Sequence, residues 1–274
     1  ISYLPNTVGE VAQRVDTGDD PERRPQELLD IIPTNRRQGY DARALIRHVV
    51  DNGDFFEMRK LYASGIITGF ARMDGWSVGV IGSDPMSKAG AMDGNAADKY
   101  THFLDLCDSF NLPLLIFLDM PGFMLGSHAE RIATMRRGAR ALIASAECQV
   151  PKIEFMVRKS YGVAADAPNS IGLPNGINLR FGWPSGEWGG IPIEGGVAAA
   201  YRREIEAADD PAAHREAIEE RLLRLRSPFK AAHKGDVVDL IDPRETRALA
   251  CRFVKLAQPK LAELANRPKR AVRP

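Results

Sequence analysis

Cysteine is scarce in this chain, and the absences narrow its chemistry before anything present does. Only 3 of the 274 residues are Cys. Cys107, Cys148 and Cys251 stand apart with no CxxC pair, which argues against a disulfide framework or a cysteine zinc site and for a reducing, cytoplasmic setting. An excess of charge is missing too. With 37 basic and 36 acidic residues the net charge is +1, so there is no electrostatic case for nucleic acid or an anionic membrane surface. Apolar runs such as Leu112–Leu118 are far shorter than the ~20 residues that span a bilayer, and no membrane insertion is expected. No signal peptide opens the sequence. Its first residue is Ile, so upstream material, removed or carried on another polypeptide, is expected. A Walker phosphate loop, a GxGxxG after a strand and a GxSxG nucleophile elbow are all absent. The five histidines, His48, His102, His128, His214 and His233, lack metal-ligand spacing and read as surface or helix-packing residues.

What is present is a globular pattern. Hydrophobic residues make up 44% of the chain, enough for one large core or two small ones. Residues 1–33 are rich in Pro, Asp and Arg and read as an extended arm, docked on a partner, with one short helical piece around Glu27–Ile32. Asp41 is placed to cap a helix over Asp41–Val50, in which Ala42, Leu45, Ile46 and Val49 recur at helical spacing. A short strand is expected at Phe55–Met58. Asp74-Gly75 joins Ile66–Met73 to Trp76–Ile81 as a tight hairpin. Helices are then predicted over Asn95–Phe110 and Arg131–Ala146, and strands over Leu114–Leu118 and Ile153–Val157. Three further helices, near Glu194–Glu206, Pro211–Leu225 and Arg244–Leu256, close the chain. Apolar strands alternating with amphipathic helices predict a parallel, helix-covered α/β architecture.

In such sheets ligands sit beyond the carboxyl ends of strands. The loops Gly82–Gly94, Asp119–Glu130 and Ser160–Ser170 qualify, and all three are rich in small residues. The last holds the stretch that organises this reading: an apolar strand, the polar Arg158-Lys159-Ser160, then Tyr161-Gly162-Val163-Ala164-Ala165-Asp166. Small residues after a strand serve close packing at a turn, or they leave backbone N–H groups bare to hold an anion or oxyanion. Asp93, Asp119 and Asp166 lie at strand ends and read either as caps and turns or as pocket residues. Asp119, before Pro121-Gly122, reads as a turn residue, and Asp166 as the better pocket candidate. Exposed amides without an evident acid, base or nucleophile suit thioester enolate chemistry, in which the base comes from elsewhere.

The segments Lys99–Gly126 (KYTHFLDLCDSFNLPLLIFLDMPGFMLG), Arg136–Asp166, Phe181–Ile205 and Ser227–Arg247 (SPFKAAHKGDVVDLIDPRETR) together resemble the biotin-dependent acyl-CoA carboxyltransferases. The likeness is to the C-terminal half of the propionyl-CoA carboxylase β subunit. Ile32–Glu57 and Ile66–Pro85 resemble the same family, and ISYLPNTVGE at the start resembles the linker between its two halves. The resemblance implies a crotonase-like ββα superhelix over 41–274 behind an arm or linker at 1–40. It implies transfer of a carboxyl group from carboxybiotin, borne on a carrier domain, to the α-carbon of a short-chain acyl-CoA. In that chemistry carboxybiotin releases CO2, its ureido nitrogen takes the α-proton, and the enolate attacks the CO2. The implied partners are the N-terminal carboxyltransferase half (on the same or a separate polypeptide), a biotin carrier protein and a biotin carboxylase, in a homo- or hetero-oligomer. The family's Gly-Gly-Ala of the biotin-side oxyanion hole falls on Gly162-Val163-Ala164, with the N–H groups of Val163 and Ala164 as donors and Asp166 shaping the acyl pocket. Val163 replaces the family Gly, so the loop requires ordinary backbone angles there. Ala165 and Leu125 stand where the family has an aromatic and a proline. The alternatives kept are a decarboxylase or transcarboxylase subunit and a non-catalytic scaffold subunit.

Overall fold

In the computed structural model, residues 2–166, 177–190, 193 and 196–267 are described. The carboxylate of Asp41 accepts from the amides of Arg43 and Ala44 and so caps α1 (Ala42–Val49), whose face of Ala42, Leu45, Ile46 and Val49 is buried, as its spacing predicts. β1 (Phe56–Met58), β2 (Ile66–Met73) and β3 (Trp76–Ser83) form an antiparallel meander. Asp74 and Gly75 take left-handed φ of 48° and 77° at its hairpin turn, the conformation that matches the twist of the flanking strands. The chain then alternates through α2 (Gly94–Ser109), β4 (Leu114–Met120), α3 (Ser127–Arg131), α4 (Thr134–Glu147) and β5 (Lys152–Tyr161). After the short α5 (Gly162–Asp166) come β6 (Asn178–Gly182), β7 (Glu187–Gly189), α6 (Gly196–Ala200), α7 (Arg202–Glu206), α8 (Pro211–Leu225), α9 (Pro228–Lys234), β8 (Asp239–Leu240) and α10 (Thr246–Ala265).

The sheet order is β1-β2-β3-β4-β5-β6-β8, parallel from β3 onward. Period-2 alternation sends Leu114, Ile116 and Leu118 to one face, against Tyr100, Leu104, Ala141 and Ala144. Leu115 and Phe117 go to the other, with Leu45, Ile46, Phe253 and Val254. Across three parallel strands the rings of Phe117, Phe155 and Phe181 stack with centroids 5.9 and 6.0 Å apart. β5 is the pivot. Its first half pairs with β6, and its last three residues pair with β7, Lys159 opposite Glu187, Ser160 opposite Trp188 and Tyr161 opposite Gly189.

Several boundaries differ from the expectations, each for a tertiary reason. The helix expected over 131–146 is broken at Ala133, where φ is 55°. β5 continues through Arg158-Lys159-Ser160 to Tyr161, because those polar residues are buried among partners. α10 runs past Pro259 to Ala265. An interior proline costs about 3 kcal/mol, and the burial of Leu261 and Leu264 beyond it offsets that cost. α9 starts at Pro228, just after Ser227, and has no counterpart among the expected helices. Residues 2–33, expected to dock on a partner, lie along this chain's own body. Val15 N–H donates to Gly75 O at 3.1 Å and Ala12 and Leu28 enter the two cores. Buried Arg247 ties the arm down, with Nε donating to Asp20 O at 2.9 Å and Nη2 paired with Asp51 at 2.9 Å.

Candidate active site

β5 carries its strand end into the site through a bulge plugged by a single carboxylate. Leu118 pairs with Met156 and Met120 with Ser160, so Asp119 alone opposes Val157, Arg158 and Lys159. The Asp119 carboxylate accepts from Lys159 N–H at 3.0 Å and from Arg158 Nε at 3.0 Å, while its own N–H donates to Ser83 Oγ at 3.3 Å. The Arg158 guanidinium also donates to Gln38 O at 2.8 Å and lies over the Tyr40 ring at 5.0 Å. Burial, then the Asp119 charge, push the Tyr40 hydroxyl well above its ordinary pKa. Asp119 is thus no surface turn residue; it is 1% exposed in its side chain and holds the register that aims Ser160–Val163.

The left-handed conformation in the next turn falls on Gly162, at φ 64°. Val163 is absent from the positive-φ residues, so the valine sits in ordinary helical backbone and the β-branch is tolerated. Gly162, Val163 and Ala164 form the first turn of α5, whose N–H groups have no acceptor within their own helix. The Val163 side chain is exposed and that of Ala164 is buried in the core. Asp166 closes α5; its side chain and residues 167–170 of the predicted loop lie outside the described residues.

Beside this turn opens a cleft of about 530 Å³, lined by Ser160, Gly162 and Val163 together with Trp188, Arg226 and Lys230. The volume is in the range of small-molecule sites. Tyr161 underlies it. Its hydroxyl donates to Glu187 Oε2 at 2.6 Å, Arg36 Nη2 reaches the same oxygen at 2.5 Å, and the Arg226 guanidinium lies over the ring at 4.9 Å. Burial first, and Glu187 second, raise the Tyr161 pKa, so the hydroxyl stays protonated at neutral pH. Burial also pushes the Cys148 and Cys251 thiols up to about 12, which removes them as nucleophiles. Among the described residues no His, Cys, Asp and Glu group could hold a metal.

Of the three predicted loops, the one after β5 reaches this cleft. The other two are joined to each other: Met92 N–H donates to Gly122 O at 3.0 Å and Met124 N–H to Met92 O at 2.9 Å. Asp93 caps α2, accepting from Ala96 N–H at 2.8 Å. The rest of the lining, from β7 and the turn between α8 and α9, is not marked in the sequence as a source of site residues. No spacing marks Glu187 or Arg226, which lie 26 and 65 residues from Tyr161 in sequence.

A carboxyl transferase domain model matches residues 1–272. The chain belongs to that family. It is 41% identical over 248 residues to the propionyl-CoA carboxylase carboxyltransferase subunit of Haloferax mediterranei, covering 90% of this chain and 48% of that protein. It is 39% identical over 247 residues to the methylmalonyl-CoA decarboxylase α subunit of Veillonella parvula, covering 90% and 47%. This family member therefore spans about half the length of those relatives. Its structure superposes on that of the transcarboxylase 12S subunit, a hexamer with methylmalonyl-coenzyme A and methylmalonic acid bound, with a TM-score of 0.83 and 37% identity, over 100% of this chain and 50% of that one. The fold is α/β and crotonase-like, as the resemblance implied. Among the described residues no helix is long and apolar enough to cross a membrane.

Proposed function

We propose that this chain is the C-terminal half of a biotin-dependent carboxyltransferase and that the turn after β5 is its oxyanion hole. The observation that carries the reading is the N-terminal turn of α5 opening onto the cleft at Gly162 and Val163. The N–H groups of Val163 and Ala164 would stabilise negative charge on an oxygen placed there, in a site shielded by the Tyr161 ring, Trp188 and Arg226. The cleft suits a small ring such as biotin. Gly162, Gly189 and Gly190 line it without side chains, and a Cβ added at Gly190 would meet nothing within 4 Å. Carboxybiotin, when bound, would supply the carboxyl group and, at its ureido nitrogen, the base. The acceptor would be a short-chain acyl-CoA of the acetyl or propionyl type. Its CoA-holding half, the biotin carrier protein and the biotin carboxylase would come from elsewhere in a homo- or hetero-oligomer. A reducing cytoplasmic setting agrees with the three buried free cysteines.

The experiment is carboxyl transfer from carboxybiotin to propionyl-CoA. The purified chain should be inactive alone and active when mixed with an N-terminal carboxyltransferase half. Full activity without another polypeptide would refute the two-half reading. A second direction of the same chemistry has its own support: the Veillonella decarboxylase subunit and the 12S transcarboxylase both match this chain at more than 35% identity. Propionyl-CoA release from methylmalonyl-CoA by the same mixture, with no net carboxylation, would favour it.

A further inference from the structure

Arg226 is buried, 8% exposed, at the wall of the cleft. Its Nη1 is shielded from solvent and has no hydrogen-bond partner. A buried guanidinium with an unused donor is costly unless an anion completes it. The neighbouring carboxylate does not do so: Glu187 is engaged by Arg36 and by the Tyr161 hydroxyl through the same oxygen. The position of the guanidinium is built rather than incidental. The Tyr161 ring lies beneath it at 4.9 Å. Gly189 leaves the space at its edge, since a Cβ there would stand 3.0 Å from Arg226 Nε and 3.1 Å from Cζ and from Tyr161 Cε1. Trp188, another residue of the cleft lining, likewise has its indole Nε1 shielded from solvent and without a hydrogen-bond partner. Lys230 and Lys234 stand exposed on the cleft lining, with Asp236 the carboxylate among them.

We infer that Arg226 and the indole N–H of Trp188 together bind the carboxylate of the group being transferred, in the cleft that opens at Val163. A planar two-oxygen anion suits one guanidinium donor and one indole donor, and its single charge is matched by Arg226. The inference rests on the carboxyl-transfer reading for the identity of the anion. The binding site itself stands on the unpaired donors. Arg226 would fix the carboxyl group beside the Val163 amide until it leaves as CO2.

The test is calorimetric titration of the full 274-residue chain with malonate, with neutral malonamide and with inorganic phosphate. Malonate should bind one site saturably, malonamide should not bind, and phosphate should bind at least tenfold more weakly. Arg226→Gln should weaken malonate about 10- to 100-fold, the range for a hydrogen bond to a charged group. Trp188→Phe should weaken it about threefold to tenfold, and Lys230→Gln less than threefold. Arg226→Lys keeps the charge without the fork and should still lose at least fivefold, so it decides the matter if the glutamine variant fails to fold. No malonate binding by the parent, parent-like affinity in a folded Arg226 variant, or an equal loss in Lys230→Gln would each overturn the assignment. Phosphate binding as tight as malonate would overturn the carboxylate identity. Malonate binding without carboxyl transfer in the completed complex would count against the catalytic reading alone, and transfer without malonate binding against this site alone.

Discussion

Breaking the Asp119–Arg158 pair should unseat the strand end that carries the site. Their side chains are 1% and 4% exposed, and Arg158 Nη2 lies 2.9 Å from Asp119 Oδ2. Arg158→Met leaves the Asp119 carboxylate buried without its cation, a change that costs about 3–5 kcal/mol. Asp119→Asn strands the guanidinium at a similar cost, while its amide oxygen still accepts from Lys159 N–H. The double variant removes both charges and keeps that bond. It should recover to about 1–3 kcal/mol, the residue left by losing the contacts of Arg158 to Gln38 O and the Tyr40 ring. At about 2–4 °C per kcal/mol for a chain of this size, each single variant should melt about 6–20 °C below the parent, with the double variant closer to it. Circular dichroism melts of the four proteins close the cycle. Single variants within about 4 °C of the parent, or a double variant showing the sum of the two losses, would refute the account of the bulge.

Three further outcomes are expected. Gly75→Ala should destabilise the hairpin severely, because φ there is +77° and the new Cβ would stand 1.9 Å from Val15 O; a melt unchanged within 2 °C, on the order of 1 kcal/mol, would contradict it. Burial raises the Asp93 pKa, but Lys88 and the Ala96 amide outweigh it and hold the carboxyl below 3.8. The stability it contributes is therefore present above the unfolded value of about 4 and lost as pH falls through the lower folded value; Asp93→Asn, still a capping residue, should flatten the fall in melting temperature below about pH 4. Val163→Gly should leave carboxyl transfer unchanged or mildly raised, since Gly162 already takes the left-handed angle; a tenfold loss would show that the branched side chain itself is needed.

How much was legible depended on how local the deciding contacts are. The Asp74-Gly75 hairpin, the Asp41 cap, the apolar face of α1 and the extent of α2 follow from neighbours a few residues apart, and the structure matches them. Asp119 was misread because its partner lies 39 residues away; beside Pro121-Gly122 its local signal is that of a turn. The same pairing hid the last residues of β5, since Arg158-Lys159-Ser160 reads as a strand end unless buried partners are known. α10 crosses Pro259 because Leu261 and Leu264 reach a core assembled from α2, α4 and four strands, which no local rule supplies. The rest of the cleft lining is the deepest case. Trp188 and Arg226 carry no motif, and only folding brings them into one cleft with Val163.

Replacing Ala164 tests the central claim most directly. Ala164→Pro removes one amide donor, and Ala164→Gly keeps it. In the completed carboxyltransferase, with folding checked by circular dichroism, the proline variant should lose about 10²–10³ in rate, and the glycine variant should stay near the parent. A folded Ala164→Pro protein that transfers the carboxyl group as fast as the parent would contradict the oxyanion hole.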